Sequence, residues 1–165
     1  MKYVLTFLLI ISIARAQQIK IPPSKDTTVV NVTISHTPVA SAYLLLPQSA
    51  PLVFSNKKDT VIQNIRISKA VGVAAQLTNC TNITFRNIFF DGSTAELISL
   101  YNCKNITIEN CLFARGTCGV YAHTSQSIVV RNNYFVNMRR RTDLARGQFV
   151  QFNTVTGAGN IVDNN

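Results

Sequence analysis

Four segments of one kind recur at a nearly fixed interval. They are Val61-Ile62-Gln63-Asn64-Ile65, Thr84-Phe85-Arg86-Asn87-Ile88, Thr107-Ile108-Glu109-Asn110-Cys111 and Val129-Val130-Arg131-Asn132-Asn133. Aligned on Asn64, Asn87, Asn110 and Asn132, they repeat with a period of about 22–23 residues. A later match, Ile161-Val162-Asp163-Asn164-Asn165, and an earlier one, Thr28-Val29-Val30-Asn31-Val32, each stand at a longer interval from the regular four. Asn31, Asn64, Asn87, Asn110, Asn132 and Asn164 therefore share one column. A period this short means a solenoid, in which each unit buries its apolar side against its neighbours.

The units are rich in Ile, Val, Thr and Phe with period-two alternation, which reads as strand. Ile106, Ile108 and Phe113 are expected inside, with Thr107 and Glu109 outside. A leucine-rich repeat has a similar period but needs a regular Leu framework, which is absent. The expected fold is all-β, a parallel β-helix of about 22–23 residues per rung. The asparagine column marks a corner: Asn tolerates the left-handed backbone, and stacked amides can hydrogen-bond along the axis.

The first residues are not part of that fold. Lys2 precedes an apolar run from Val4 to Ile13, and Ala14-Arg15-Ala16 ends in an A-x-A pattern. This is the form of a secretory signal peptide, too short to span a bilayer. The expected organisation is a signal peptide at 1–16, a proline-marked cap-like β region at 17–55, and rungs over 56–165. The last rung stops at Asn165 without a cap, so a fragment of a longer protein is expected. No later segment reaches transmembrane length, and secretion is the expected destination. The chain has 16 Lys and Arg against 7 Asp and Glu; removing Lys2 and Arg15 leaves a net charge of +7. So few carboxylates disfavour a dense metal cage. Secretion permits disulfides among Cys80, Cys103, Cys111 and Cys118. Cys80 and Cys103 occupy equivalent positions on adjacent rungs, within bridging distance, and stacked free thiols are the alternative. N-x-Thr sequons at Asn31, Asn79, Asn82 and Asn105 follow from repeated Asn and strand Thr.

The rungs Asn82-Ile83-Thr84-Phe85-Arg86-Asn87, Asn105-Ile106-Thr107-Ile108-Glu109-Asn110 and Ser127-Ile128-Val129-Val130-Arg131-Asn132-Asn133-Tyr134-Phe135 resemble the right-handed parallel β-helix repeat proteins of the pectate-lyase-like superfamily. The resemblance implies the fold. It includes polysaccharide lyases, hydrolases, epimerases and non-catalytic surface proteins, so it does not choose a function. It also raises Ca²⁺ as a lyase cofactor; the residues themselves indicate no cofactor.

A second strand precedes each repeat: 73–77, 97–101, 119–123 and 149–153. Its inward columns are Leu77, Leu100, Ala122, Phe152 and Ala75, Ile98, Val120, Val150. The outward columns are then Gln76, Ser99, Tyr121, Gln151 and Thr78, Tyr101, His123, Asn153. Aromatic rings and amides on a flat sheet suit a carbohydrate. Tyr101, Gln151 and Asn153 are candidate binding residues. The long interval before Asn164 contains a basic loop, and its Arg139, Arg140 and Arg141 suit carboxylate or sulfate groups. The expected partner is an anionic, uronate-type polysaccharide rather than nucleic acid, since secretion disfavours the latter. In a lyase-like or epimerase-like step His123 would be the base, and Tyr121 or Arg146 the proton donor. A hydrolase would need a pair of carboxylates, and none is clustered. Non-catalytic carbohydrate binding or a purely structural role are the other readings.

Overall fold

The computed structural model describes residues 40–139 and 147–165. They form a short helix, α1 (Ala40–Leu44), and fifteen strands numbered in chain order. The strands stack into three parallel sheets of five. Sheet A holds β1 (Gln48–Ser49), β4 (Arg66–Ala70), β7 (Phe89–Ser93), β10 (Leu112–Ala114) and β13 (Tyr134–Val136). Sheet B holds β2 (Leu52–Ser55), β5 (Ala75–Thr78), β8 (Glu96–Tyr101), β11 (Cys118–His123) and β14 (Gln148–Asn153). Sheet C holds β3 (Lys58–Gln63), β6 (Thr81–Arg86), β9 (Lys104–Glu109), β12 (Gln126–Arg131) and β15 (Ile161–Asp163). Each rung contributes one strand to each sheet. Stacking extends upstream of residue 56, because β1 and β2 already pair with β4 and β5. The signal-peptide segment, Asn31 and most of the cap-like region lie outside the described residues.

The register follows the repeat. In sheet C, Ile83 lies between Thr60 and Ile106, and Ile108 between Phe85 and Val130. In sheet B, Leu77, Leu100, Ala122 and Phe152 align, as do Ala75, Ile98, Val120 and Val150. Both inward columns match the alternation read from the sequence. Ile106, Ile108 and Phe113 are fully buried. A run of rings follows the axis inside sheet A and on to β14: Phe90 to Phe113 at 5.0 Å, Phe113 to Phe135 at 4.7 Å, and Phe135 to Phe149 at 5.3 Å. Such stacks add about 0.5–1.5 kcal/mol each beyond burial.

The corners use side chains to satisfy the backbone. Asn64, Asn87, Asn110, Asn132 and Asn164 all take left-handed φ, between 47° and 58°. Asn87 Nδ2 donates to Asn64 Oδ1 at 2.6 Å, and Asn164 Nδ2 to Asn132 Oδ1 at 2.7 Å. Two further ladders stand on either side of the turn from sheet B to sheet C. Asn102 donates to Asn79 at 2.8 Å; Asn105 donates to Asn82 at 3.0 Å, and Asn82 to Asp59 at 2.7 Å. The sequons at Asn79, Asn82 and Asn105 are thus ladder residues, each followed two places on by a strand Thr.

The cysteines serve the same corners. Cys80, Cys103 and Cys111 are buried free thiols, so the bridge considered for Cys80 and Cys103 is not formed. Their Sγ atoms instead donate to the carbonyls of Thr78 (3.4 Å), Tyr101 (3.4 Å) and Glu109 (3.3 Å), each two residues back. In the column of Cys80 and Cys103 the next rung places Ser125, whose Oγ donates to His123 O at 3.0 Å. Asn133 follows Cys111, donating to Ile108 O at 3.0 Å and accepting from Cys111 N at 2.9 Å. Burial pushes the Cys111 thiol up to about 12 and the Cys103 thiol up to about 11.

Outside sheet C, one column reads Arg86, Glu109, Arg131, Asp163. Glu109 points outward as expected, yet it is only 7% exposed. The two neighbouring arginines cover it: Arg86 Nε reaches Oε1 at 2.8 Å and Arg131 Nη2 reaches Oε2 at 2.8 Å. The Arg131 hydrogen bonds lead in holding its carboxyl below the usual carboxylate range, against an opposing push from burial. Outside sheet A, Tyr43 and Leu46 pack on Phe89, Leu112 and Ala114, and Tyr43 Oη donates to Asn110 O at 2.9 Å.

Three outcomes are expected. A Cβ at Gly119 would stand 2.3 Å from Phe135 Cε1 and 2.5 Å from Phe149 O. Gly119→Ala should destabilise by about 1–3 kcal/mol in denaturant titration, since overpacked backbone yields little. Glu109 contributes stability above the ordinary glutamate pKa, and that contribution is lost as pH falls through its lowered folded value. The melting temperature should therefore drop between roughly pH 5 and pH 3, less so in Glu109→Gln. An equal acid drop in that variant would contradict the assignment. Iodoacetamide should label Cys103 and Cys111 slowly in the native protein and rapidly in denaturant, by mass spectrometry; equal rates would refute their burial.

Candidate functional site

Sheet B presents a chemically distinctive surface of aromatic, imidazole and amide side chains. Its strands alternate, so every second side chain leaves the core. One outward column runs Val53, Gln76, Ser99, Tyr121, Gln151, and the other Ser55, Thr78, Tyr101, His123, Asn153. Both agree with the columns deduced from the repeat. Neither contains Asp, Glu, Lys or Arg.

The stacking brings three rings together. Tyr101 and His123 are neighbours on adjacent rungs, with centroids 5.3 Å apart and planes 20° apart. Tyr121 and His123 lie two residues apart on β11, at 6.3 Å and 11°. The rings are thus close to parallel. Tyr101 is 53% exposed, whereas Tyr121 and His123 are half-buried. Asn153 Nδ2 donates to Tyr121 Oη at 3.2 Å, fixing the amide beside the phenol.

Two polar atoms here are buried without a hydrogen-bond partner, His123 Nδ1 and Gln151 Oε1. An orphaned N–H is costlier and rarer than an orphaned acceptor. The bare lone pair therefore belongs at Nδ1 and the proton at Nε2. His123 in that tautomer offers an N–H to a ligand oxygen. Ser99, Gln151 and Asn153 supply hydroxyl and amide groups around the rings.

The cationic residues are elsewhere. Arg139 is exposed, and its Nε donates to Arg115 O at 2.9 Å. That carbonyl lies at the corner where the chain enters β11, whereas His123 closes the same strand. At about 3.3 Å per residue, the two ends of β11 are about 16 Å apart. Arg139 does not join Tyr121 and His123. Arg140, Arg141 and Arg146 lie outside the described residues. Among the described residues, no group of three or more His, Cys, Asp or Glu could hold a metal ion. The Ca²⁺ raised by the resemblance finds no donor set there: the buried Asp91 and Glu109 are each held by arginine.

Repeat logic alone did not single out the corner between sheets A and B. There Lys69, Gly92 and Arg115 stand at equivalent positions of successive rungs, and Arg115 is ion-paired with Asp91. The period was the available signal; the residue types, being basic, resemble any solvated surface.

Comparison with known proteins gives one match. A family model described as "right handed beta helix region" matches residues 17–165. No curated protein and no solved structure matches the chain. Parallel sheets, a recurring rung of about 22–23 residues and a family match over nearly the whole sequence agree, and the chain belongs to the right-handed β-helix family.

Proposed function

We propose that this chain is a secreted β-helix protein that binds a polysaccharide on the outer face of sheet B. The observation that carries this reading is the near-parallel grouping of Tyr101, His123 and Tyr121 on one uncharged sheet face. Aromatic faces pack against the C–H faces of sugar rings. Tyr hydroxyls, the imidazole N–H and the amides of Gln151 and Asn153 match the mixed donor and acceptor character of sugar hydroxyls. Parallel strands give the surface a repeat of about 4.8 Å along the axis, which suits an extended polymer better than a compact ligand.

Binding is favoured over chemistry. A lyase-like or epimerase-like step on a uronate needs a cation beside the carboxylate and a base beside the C5 proton. His123 could act as a base, but the outward columns of sheet B bring no cation to it. Arg139 is across the strand. Carbohydrate binding or adhesion is therefore the leading function, with uronate chemistry at His123 the alternative.

The experiment is calorimetric titration of neutral and uronate oligosaccharides into wild type, Tyr101→Ala and His123→Ala. Each substitution should weaken binding about three- to tenfold, the equivalent of losing one aromatic contact. Circular dichroism should be unchanged, because both side chains leave the core intact. Unaltered affinity in both variants would remove sheet B as the binding face. Unsaturated uronate products from wild type and none from His123→Ala would instead establish lyase chemistry.

A further inference from the structure

The corner between sheets A and B is built against local backbone preference. Its column is Lys69 (φ 53°), Gly92 (φ 89°), Arg115 (φ 57°) and Asn137 (φ 51°), all left-handed. The other left-handed positions hold Gly, Asn, Asp, Ser or Thr, residues with short side chains or none that mostly suit this conformation. Among the described residues, Lys69 and Arg115 are the only long side chains forced into it. Strain retained where a cheaper residue would serve points to function.

A third cation completes the column. Arg139 N donates to Gly116 O at 2.8 Å and its Nε to Arg115 O at 2.9 Å. Its side chain runs back along the axis, leaving Nη2 3.7 Å from where a Cβ on Gly92 would stand. The backbones of Lys69, Gly92 and Arg115 thus occupy three consecutive rungs about 4.8 Å apart, with Arg139 Nη2 at the middle rung and the Arg115 guanidinium turned back to Asp91 on it. Asp91 pairs with Arg115 from a buried position. Among the described residues one carboxylate, Asp91, pairs with this row, and Lys69 and Arg139 form no ion pair. On sheet C the same chain alternates Arg86, Glu109, Arg131 and Asp163, so the imbalance is local.

We propose that this corner is a second binding site, distinct from the sheet B face, for the acidic groups of an anionic polysaccharide lying along the solenoid axis. Carboxylates and sulfates share the chemistry it recognises: an oxyanion held by guanidinium and ammonium donors. A single-stranded nucleic acid would also need aromatic rings interleaved with the cations for its bases. The column Lys69, Gly92, Arg115 and Asn137 has none.

The test uses the full chain with polygalacturonate, dextran sulfate, neutral dextran and an oligothymidylate, titrated over a range of NaCl. Wild type should bind the two acidic polysaccharides, with affinity falling as salt rises. Lys69→Asn and Arg139→Gln should each lower that affinity about three- to tenfold and flatten its salt dependence. Lys69→Asn should at the same time raise the melting temperature, because Asn accepts the left-handed backbone. Affinity lost while stability is gained is a combination that a merely structural lysine does not give. Comparative strength for carboxylate and sulfate polymers identifies the preferred oxyanion. Unchanged affinity and salt slope in both variants would overturn the site. A flattening of the salt dependence in Tyr101→Ala as large as in the corner variants would relocate the site to sheet B and also overturn it. Tighter binding of the oligothymidylate than of either acidic polysaccharide would overturn the ligand class.

Discussion

Parallel pairing between identical positions of successive rungs is the constraint on which everything else depends. Once each residue sits over its counterpart one rung on, no side chain faces an arbitrary neighbour; it faces its own column. A column must therefore be compatible with itself at about 4.8 Å. Apolar columns meet this condition without cost, as Ile83, Ile106 and Ile128 do in sheet C. Amide columns meet it because Asn is both donor and acceptor, so Asn87 can give to Asn64. Charged columns meet it only by alternating, as Arg86, Glu109 and Arg131 do. The thiols of Cys80 and Cys103 meet it by each donating to a strand-end carbonyl.

That condition also separates structural columns from functional ones. The Asn64 column, the Phe90–Phe113–Phe135 stack and the Arg–Glu–Arg clamp all end in satisfied contacts within the protein. The Tyr101–His123 stack leaves Tyr101 half-exposed and His123 Nδ1 unpartnered. The Lys69–Arg115 column is strained in its backbone, and among the described residues its Lys69 forms no ion pair, whereas Arg115 is held by Asp91. Both departures lie along sheet B, one on its face and one at its entry corner.

The sequence made much of this legible. A fixed period plus alternation suffices to place Leu77 over Leu100 and Tyr101 over His123, because register in a solenoid is arithmetic. The Asn64 column was legible because one residue type recurred. Glu109 was less so: alternation put it outside, but its burial comes from arginine side chains folding over it, which no pattern of hydrophobicity records. The packing of Tyr43 and Leu46 on Phe89 was also hidden, since that segment lies outside the repeat. Arg139 looked like one of three consecutive arginines in a basic loop suited to an acidic ligand. Its actual direction is set by a hydrogen bond to Arg115 O, a backbone group invisible to composition.

The separation of Arg139 from His123 bears on how one scaffold could hold an acidic polymer. In a solenoid, ring contacts and charge contacts need not share a pocket, because each column is a continuous rail along the axis. A rail of aromatic and amide groups recognises the sugar and is insensitive to salt. A rail of cations recognises the charge and is screened within about 8–10 Å at physiological salt. With about 16 Å of strand between them, the two proposed rails would act as separate sites, and occupancy of one should leave the other's affinity unchanged. Coupling between them would require a ligand broad enough to cross the full width of sheet B.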